Sequence, residues 1–566
     1  MNQLLTVETE RVDDIPVLLT HMQRMGLPAL INDHFPTHGN RTGLDVGHLL
    51  AVWLAYILSR GDHRLSHVQP WVDKRLHTLN HTLEADFTPL DWTDDRLAAV
   101  LRLLSQDRHW QAFEQALCGR LLRVYALEAK TVRIDTTSAS GYWSISDGGL
   151  FQFGHSKDYR PDLPQVKVAL ATLDPLGLPV ATDVIEGHRA DDPLYIPAVE
   201  RVRKTLDQKG LLYVGDCKMA ALGTRAFLAR GGDHYLCPLA KAQCPEARRA
   251  AYLASEAAQD PVAITDRDSR RVAEAFEVNE RLTAETPDGE PFTWIERRLV
   301  VRSLGQAEAA EKALQGRLAK AEAHLAKLNE RGRGKRRYDE RGAFEARVEA
   351  ILKRHKVTGL LQVEIEEEIT TRTVRAYGDQ PLRIQWRRRF SVSTRRDSQA
   401  LAAHLAGLGW RVYATNHDGL TLSQAVWAYR GQYVLERSFG RLKGQPLSLS
   451  PMYLQRDDHA TGLVRLLSLG LRVLILLEFV VRRQLALEQA KLSGVYAGNP
   501  KRATARPTAE LLLEAFKDIT LTVVVFPEGR YYHLTPLTVP QVRILALLGF
   551  VVEIYTGLCR ESVKPP

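Results

Sequence analysis

Apolar residues recur at helical spacing through Val17–Met25, Val46–Leu58 and Leu97–Ala126, so residues 1 to about 125 are predicted to be mostly helical. Asp94 and Asp95 stand just before the last of these segments, where acidic residues suit a helix start. From about residue 130 the pattern changes to short β-rich runs. TVRID (131–135), QVKVALATLD (165–174) and LPVATDVIEG (178–187) read as strands, the last two joined by the turn PLG. A helix over Leu194–Leu206 leads to LLYVGD (211–216), a second helix over Met219–Arg230, and HYLCPL (234–239). Three early strands followed by helix and strand in alternation predict a mixed α/β sheet. Asp135 and Asp216 fall at the C-terminal ends of two of these runs, where such sheets place ligand-binding residues.

The next recognisable sheet element is WRVYATN (410–416), so the residues between about 240 and 395 read as an insertion, β-rich over Thr293–Val301 and Leu361–Arg375. Inside it Leu314, Leu318, Ala321, Leu325 and Leu328 step by 4, 3, 4 and 3, and Phe344, Val348, Ile351 and His355 repeat those steps. Two matched heptad seams around RGRGKRR (331–337) predict an antiparallel helical hairpin with a basic tip. That tip is either a solvated charge run or a DNA-backbone contact. Residues 456–492 form one or two further helices, and KRATARPT (501–508) reads as a basic linker. The boundaries that follow are 1–125 for a helical N-terminal domain, 126–240 for the first part of the core, and 241–395 for the insertion. The second part of the core spans 396–492, and 493–566 form a C-terminal tail.

Composition narrows the classes only a little. The 566 residues and 45% hydrophobic content suffice for several cores. Lys and Arg outnumber Asp and Glu by 76 to 67, a net +9 that leans towards a polyanionic partner. The five cysteines form no CxxC pair, which fits a reduced protein without a structural zinc. The N-terminus lacks a basic stretch before an apolar core, so no signal peptide is expected. Leu463–Val481 is very apolar but contains Arg465, Arg472 and Glu478, which predicts a buried core helix instead of a membrane span. A cytoplasmic protein with no membrane association is the expectation.

The most informative stretch is YRGQYVLERSFGRLK (429–443). Wound as one helix at roughly 100° per residue, it places Tyr429, Gln432, Glu436 and Lys443 within an arc of about 60°. Leu435, Phe439 and Leu442 form an apolar stripe beside that arc. One carboxylate flanked by a phenol, an amide and an ammonium suits a metal ligand with phosphate-binding neighbours. Asp135 and Asp216 are its candidate partners, because two strand ends and a nearby helix can converge three carboxylates in one cleft. Hard Mg²⁺ ions prefer such oxygen donors, and two of them suit phosphodiester cleavage. Each acid also has a plainer explanation: a turn cap for Asp135, a helix N-cap for Asp216, a surface acid for Glu436.

The block at Tyr429, Gln432, Glu436 and Lys443 resembles the Y-x2-R-x3-E-x6-K signature of the IS4-type DDE transposases, with glutamine in the arginine position. IDTTSASGYW (134–143) resembles the first-aspartate block of that family and YVGDCKMAA (213–221) the second. HSKDYRPDLPQVKVAL (155–170) and EGHRADD (186–192) resemble the segment between them, and the N-terminal region with DDRL (94–97) is similar to the IS1634 branch. The resemblance implies an RNase H-like mixed-sheet core, interrupted by a β-rich insertion, behind an N-terminal helical domain that binds DNA ends. It assigns Asp135, Asp216 and Glu436 as catalytic metal ligands for Mg²⁺, in a two-metal site where Mn²⁺ can substitute. The implied activity is cleavage at the terminal inverted repeats of an insertion sequence, then strand transfer into target DNA by a cut-and-paste route. The implied assembly is a homodimer on DNA.

Tyr429 and Lys443 carry over as DNA contacts. Gln432 keeps a hydrogen-bond donor but lacks the fixed charge and fork of arginine; Arg430 and Arg437 are nearby sources of charge. Lys157 and Arg160 are further candidates for phosphate binding, or else members of a solvated loop. His188, beside Asp191 and Asp192, either approaches the metal site or stabilises a turn. Trp294 and Trp386 in the insertion read as packing residues, with base stacking the alternative. Two other functions stay open: a DDE-type nuclease without strand transfer, and an inactive DNA-binding derivative.

Overall fold

The structure, a computed structural model, describes residues 6–37, 43–286, 289–332, 334–376, 378, 381–526 and 529–560. Its centre is a nine-stranded sheet. In chain order the strands are β1 (Thr131–Ser140), β2 (Gln165–Leu173), β3 (Leu178–Glu186), β4 (Leu212–Val214) and β5 (His234–Pro238). Then come β6 (Val262–Thr265), β7 (Arg271–Glu285), β8 (Pro291–Ser303) and β9 (Trp410–Thr415). They lie in the order β3-β2-β1-β4-β5-β9-β8-β7-β6. The β1–β4 and β4–β5 pairs are parallel and the remaining pairs antiparallel, so the sheet is mixed.

Chemistry along the strands explains their places. Every residue of β2 is buried, and its VKVALATL run lacks the polar alternation of a half-exposed strand because both faces are covered. Four helices position the site: α1 (Tyr195–Leu206), α2 (Leu422–Arg430), α3 (Tyr433–Lys443) and α4 (Asp457–Leu487). α4 is 31 residues long, and most of its length from Ala460 to Val481 is buried. It packs against β3, α3 and the Asp94–Leu104 helix. Its Gly462 meets the backbone of Leu101 so closely that an added Cβ would stand 2.2 Å from the Leu101 carbonyl oxygen. One apolar core therefore runs from the N-terminal helices, with Trp53, Trp92 and Trp110 fully buried, through α4 into the sheet.

The charges of α4 are neutralised one by one. Arg472 and Arg201 both bind Glu114, a side chain with no exposure on the Asp107–Tyr125 helix. Arg465 donates to the Leu104 carbonyl and pairs with Asp107. No single helix among the described residues is long and apolar enough to cross a membrane.

Two features depart from the sequence reading. The first is at the ends of the chain. Thr6–Arg11 is a strand, paired antiparallel with Thr520–Phe526, which pairs in turn with Gly529–Leu534. A lone strand with a partner from the far end of the chain leaves no local signal. The second lies between residues 240 and 395. β6, β7 and β8 extend the central sheet beyond β9. Only the later part packs by itself: the helices Leu304–Ala326 and Arg341–His355 bury Leu314, Leu318, Leu325, Phe344, Val348 and Ile351 together with Val392. A two-stranded ribbon, Leu361–Val374 with Arg383–Arg396, joins this small core. Arg333 of the basic tip lies outside the described residues; Arg331, Lys335, Arg336 and Arg337 are exposed.

Candidate active site

Parallel pairing of β1 with β4 aligns Thr131 with Leu212, Val132 with Tyr213, and Arg133 with Val214. Asp135 and Asp216 each follow the last of these pairs by two residues, and their carboxylates are near enough for the Asp216 charge to act on Asp135. Burial pushes the Asp135 carboxyl above its ordinary pKa, the Lys157 charge opposes that rise, and Asp216 adds to it. The Tyr195 hydroxyl, from the first turn of α1, donates to Asp216 Oδ1 at 2.7 Å, and the Lys218 backbone N–H donates to the same oxygen at 2.8 Å.

A cationic shell surrounds the pair. Lys157 Nζ lies 3.3 Å from Asp135 Oδ1 and 3.5 Å from Asp191 Oδ2, and also donates to Thr136 Oγ1 at 2.8 Å. Buried Lys167 donates to Asp191 Oδ1 at 2.7 Å. Burial alone would raise Asp191, but the Lys167 hydrogen bond and the charges of Lys157 and Lys167 hold its carboxyl below the usual range. Tyr195, Asp191 and Lys167 belong to this site although sequence reasoning assigned them no role there. Only the closeness of EGHRADD to the aspartate blocks hinted at Asp191.

The Tyr429 segment does not wind as one helix. Gly431 and Gln432 form a two-residue break between α2 and α3. Tyr429 and Arg430 therefore end α2, Gln432 stands at the N-cap of α3, and Glu436 and Lys443 lie along α3. Arg133 sets the break. Its buried guanidinium holds Asp174 at 2.8 and 2.9 Å and reaches the Ala428 carbonyl. A Cβ on Gly431 would stand 2.4 Å from Arg133 Nη2, so a side chain there would have to displace the guanidinium from its partners. At the next turn of α3, Ser438 donates to the Gly177 carbonyl at 3.2 Å. Gly177 has a φ of +73°, and a Cβ there would meet Val434 and Ser438 at under 3.0 Å. From the far side of α3, Arg441 binds Glu478 and Glu510.

Despite the break, Tyr429, Arg430, Gln432 and Glu436 line one cavity of about 300 Å³. The Tyr429 ring packs against Tyr413 at a tilt, 4.7 Å between centroids, and burial pushes its phenol above the ordinary value. The Gln432 Oε1 atom is buried without a hydrogen-bond partner. Glu436 is exposed.

The remaining candidates separate. Lys443 is paired with Asp158, next to Lys157 in sequence. Arg430 donates to the Val272 carbonyl at 3.2 Å and lies over the Trp427 ring. Arg437 is turned away, paired with Glu478 of α4 at 2.5 Å. Arg160 is paired with Asp162 at 2.7 Å on the surface. His188 is exposed. Trp294 is buried and donates to Tyr235 Oη at 2.9 Å, consistent with packing. Trp386 is 68% exposed, so the packing role expected for it does not hold; it lies on the two-stranded ribbon beyond the small core.

The donor set at Asp135 and Asp216 suits a hard divalent cation, since two half-buried carboxylates repel until a cation joins them, and the Lys157 ammonium now supplies that charge. Among the described residues no three His, Cys, Asp or Glu side chains form a group close enough to hold a metal. Glu436 therefore stands apart from the aspartate pair in this conformation.

Residues 119–471 match the transposase DDE domain family, and the chain belongs to that family. It is a DDE transposase, an enzyme of DNA transposition and recombination with endonuclease character. Among curated proteins none matches the sequence. Among solved structures the chain is similar to a piggyBac transposase synaptic complex with hairpin DNA, at 7% identity and a TM-score of 0.35, covering 88% of this chain and 79% of that one.

Proposed function

We propose that the chain is an IS4-type transposase of the IS1634 branch, with an RNase H-like core, in which Asp135, Asp216 and Glu436 hold divalent metal for cleavage of DNA at element ends. The parallel β1–β4 pair, which ends two residues before Asp135 and Asp216, and the charge interaction between those two carboxylates carry this reading. Glu436 lines a cavity together with Tyr429 and Gln432, and an approach of α3 to the aspartates on binding DNA completes the triad. Mg²⁺, or Mn²⁺ in its place, supplies Lewis-acid stabilisation of the cleaved phosphodiester when bound. Tyr195 orients Asp216 through its hydroxyl. Lys157 balances Asp135 until metal and phosphate arrive, then turns to the DNA backbone. Lys443 leaves Asp158 for a phosphate near the cut, and Tyr429 and Gln432 contact the DNA strand from the cavity wall. Arg430, Arg437 and Arg160 contribute charge around that path. The partners are the terminal inverted repeats and target DNA, bound by a homodimer in the cytoplasm, with the N-terminal helical region holding the end and strand transfer completing a cut-and-paste cycle.

The test is an in vitro reaction on the element's own ends with both strands labelled, beside the Glu436→Gln variant. Cleavage and joining by the wild type, with binding but no cleavage by the variant, supports the reading. Cleavage without joining identifies a nuclease, and binding without cleavage by the wild type an inactive derivative. Full cleavage by Glu436→Gln overturns the metal-site assignment.

A further inference from the structure

A cavity of about 1060 Å³ lies away from the aspartates. It opens between the N-terminal helices and the segment that follows α3. One wall is Gly444, Gln445, Ser448, Ser450, Pro451 and Tyr453, from the segment that follows Lys443. The other wall brings Arg60, Arg64, Lys74 and Arg75 together, with Arg11 at the rim. Asp62 is the one acid in that lining, and it is already held by Arg64 at 3.0 Å, His67 at 2.9 Å and Tyr56 at 2.8 Å. Arg11 is likewise engaged, by Asp13 and Asp518. Arg60 and Lys74 are exposed, and neither has an acidic partner among the described residues.

Arg75 is the second observation. Its side chain is only 7% exposed, and its Nε has no hydrogen-bond partner. The guanidinium is held over the Trp71 ring and by the Trp71 carbonyl at 3.1 Å. A buried guanidinium that lines a cleft rich in cations, with no ion pair among the described residues, suits an anion. The volume is at the upper limit for small-molecule sites, and five Arg and Lys side chains line it against one acid. A repeating polyanion fits better than a compact ligand.

We propose that this cleft binds the sugar-phosphate backbone of the element-end DNA as it leaves the cleavage site, with Arg60, Lys74 and Arg75 on successive phosphates and exposed Tyr453 against a sugar or base. Continuity sets the direction: Asp135 contacts Lys157, the adjacent Asp158 pairs with Lys443, and the cleft wall begins at Gly444. The assignment rests on the proposed catalytic site for that direction alone.

The test titrates labelled end duplex with full-length wild-type protein and with the Arg60→Ala/Lys74→Ala double variant over a range of salt, with phosphate-ethylation interference on both. Removal of two exposed charges is expected to weaken binding at low salt by roughly tenfold and to make the log–log salt slope shallower by about 0.9 for each phosphate that is no longer neutralised. Interference at phosphates flanking the cut is expected to fade in the variant. Unchanged affinity, slope and interference pattern, with wild-type cleavage intact, overturns the cleft and leaves the catalytic reading standing. Loss of affinity in the variant from a wild type that binds without cleaving supports the cleft and removes the catalytic reading. A wild type that fails to bind the end overturns both.

Discussion

Lys157 Nζ lies 3.3 Å from Asp135 Oδ1, so a side chain already provides the positive charge that the aspartate pair requires. That contact makes Lys157 a competitor for incoming metal. Lys157→Met keeps the length of the side chain and removes its charge. Two charges at such a distance interact by a few kcal/mol at an effective dielectric near 20, less where water reaches them. Metal-free protein carrying the substitution is expected to bind Mn²⁺ about tenfold more tightly by calorimetry. Weaker binding would show that the ammonium orients Asp135 and does not compete for its charge.

Glu114 is buried between Arg201 and Arg472, tying the Asp107–Tyr125 helix, α1 and α4 into one block. Arg472→Met leaves part of the Glu114 charge without compensation, which costs about 3–5 kcal/mol in comparable buried pairs. Denaturant unfolding is expected to show a loss in that range. Glu114→Gln with Arg472→Met should recover part of it, because the orphaned charge is gone. Additive losses would mean that the pair is not energetically coupled.

The parts that were legible in the sequence are those with a local pattern. The 4-3 steps of Leu314 to Leu325 and of Phe344 to Ile351 recorded which faces meet, and the structure buries those residues together. Asp135 and Asp216 were found from their strand-end positions, but their adjacency depends on β1 pairing with β4, a choice no single strand encodes. The break at Gly431 was missed because the apolar spacing of Leu435, Phe439 and Leu442 continues a helix from Tyr429 without interruption. The cause is tertiary, the Arg133 guanidinium packed where a side chain would otherwise be. Likewise the sequence does not reveal that Lys443, a DNA contact by resemblance, and Arg437, a nearby source of charge, each have an acidic partner brought by a distant segment.

His21 is fully buried, and burial, followed by the charge of Arg24, lowers its pKa from 6.5 to about 3. The unfolded chain takes up this proton near its ordinary value while the folded chain does not. Stability is therefore complete above about pH 6.5 and is lost as pH falls towards 3. At about 1.4 kcal/mol per unit the full effect is roughly 4–5 kcal/mol. His21→Leu is expected to flatten unfolding free energy against pH below 6.5, the value at which the unfolded group begins to charge. An unchanged slope would place the acid sensitivity in other groups.

Trp294 and Trp386 should respond oppositely. Trp294→Phe removes the donor to Tyr235 Oη and is expected to cost about 1–2 kcal/mol in unfolding. Trp386→Ala, on the exposed ribbon, is expected to change stability by no more than about 0.5 kcal/mol. If its ring stacks on a base, the same change weakens end-DNA binding by about 1–3 kcal/mol. Unaltered affinity would remove the ribbon's tryptophan from the DNA interface.

Gln432 lines the cavity that also holds Tyr429 and Glu436, and its Oε1 is buried without a partner. An amide there offers donor and acceptor but no charge. Gln432→Arg adds a planar cation with five donors at the same place. If this wall faces a DNA phosphate, affinity for end duplex should rise several-fold at low salt, and the salt slope should steepen by about 0.9. The new guanidinium can also pair with Glu436, in which case binding rises while the cleavage rate falls, and single-turnover kinetics separate the two effects. An unchanged slope would show that position 432 faces away from the backbone, and the DNA path would then follow Tyr429 and Lys443 without it.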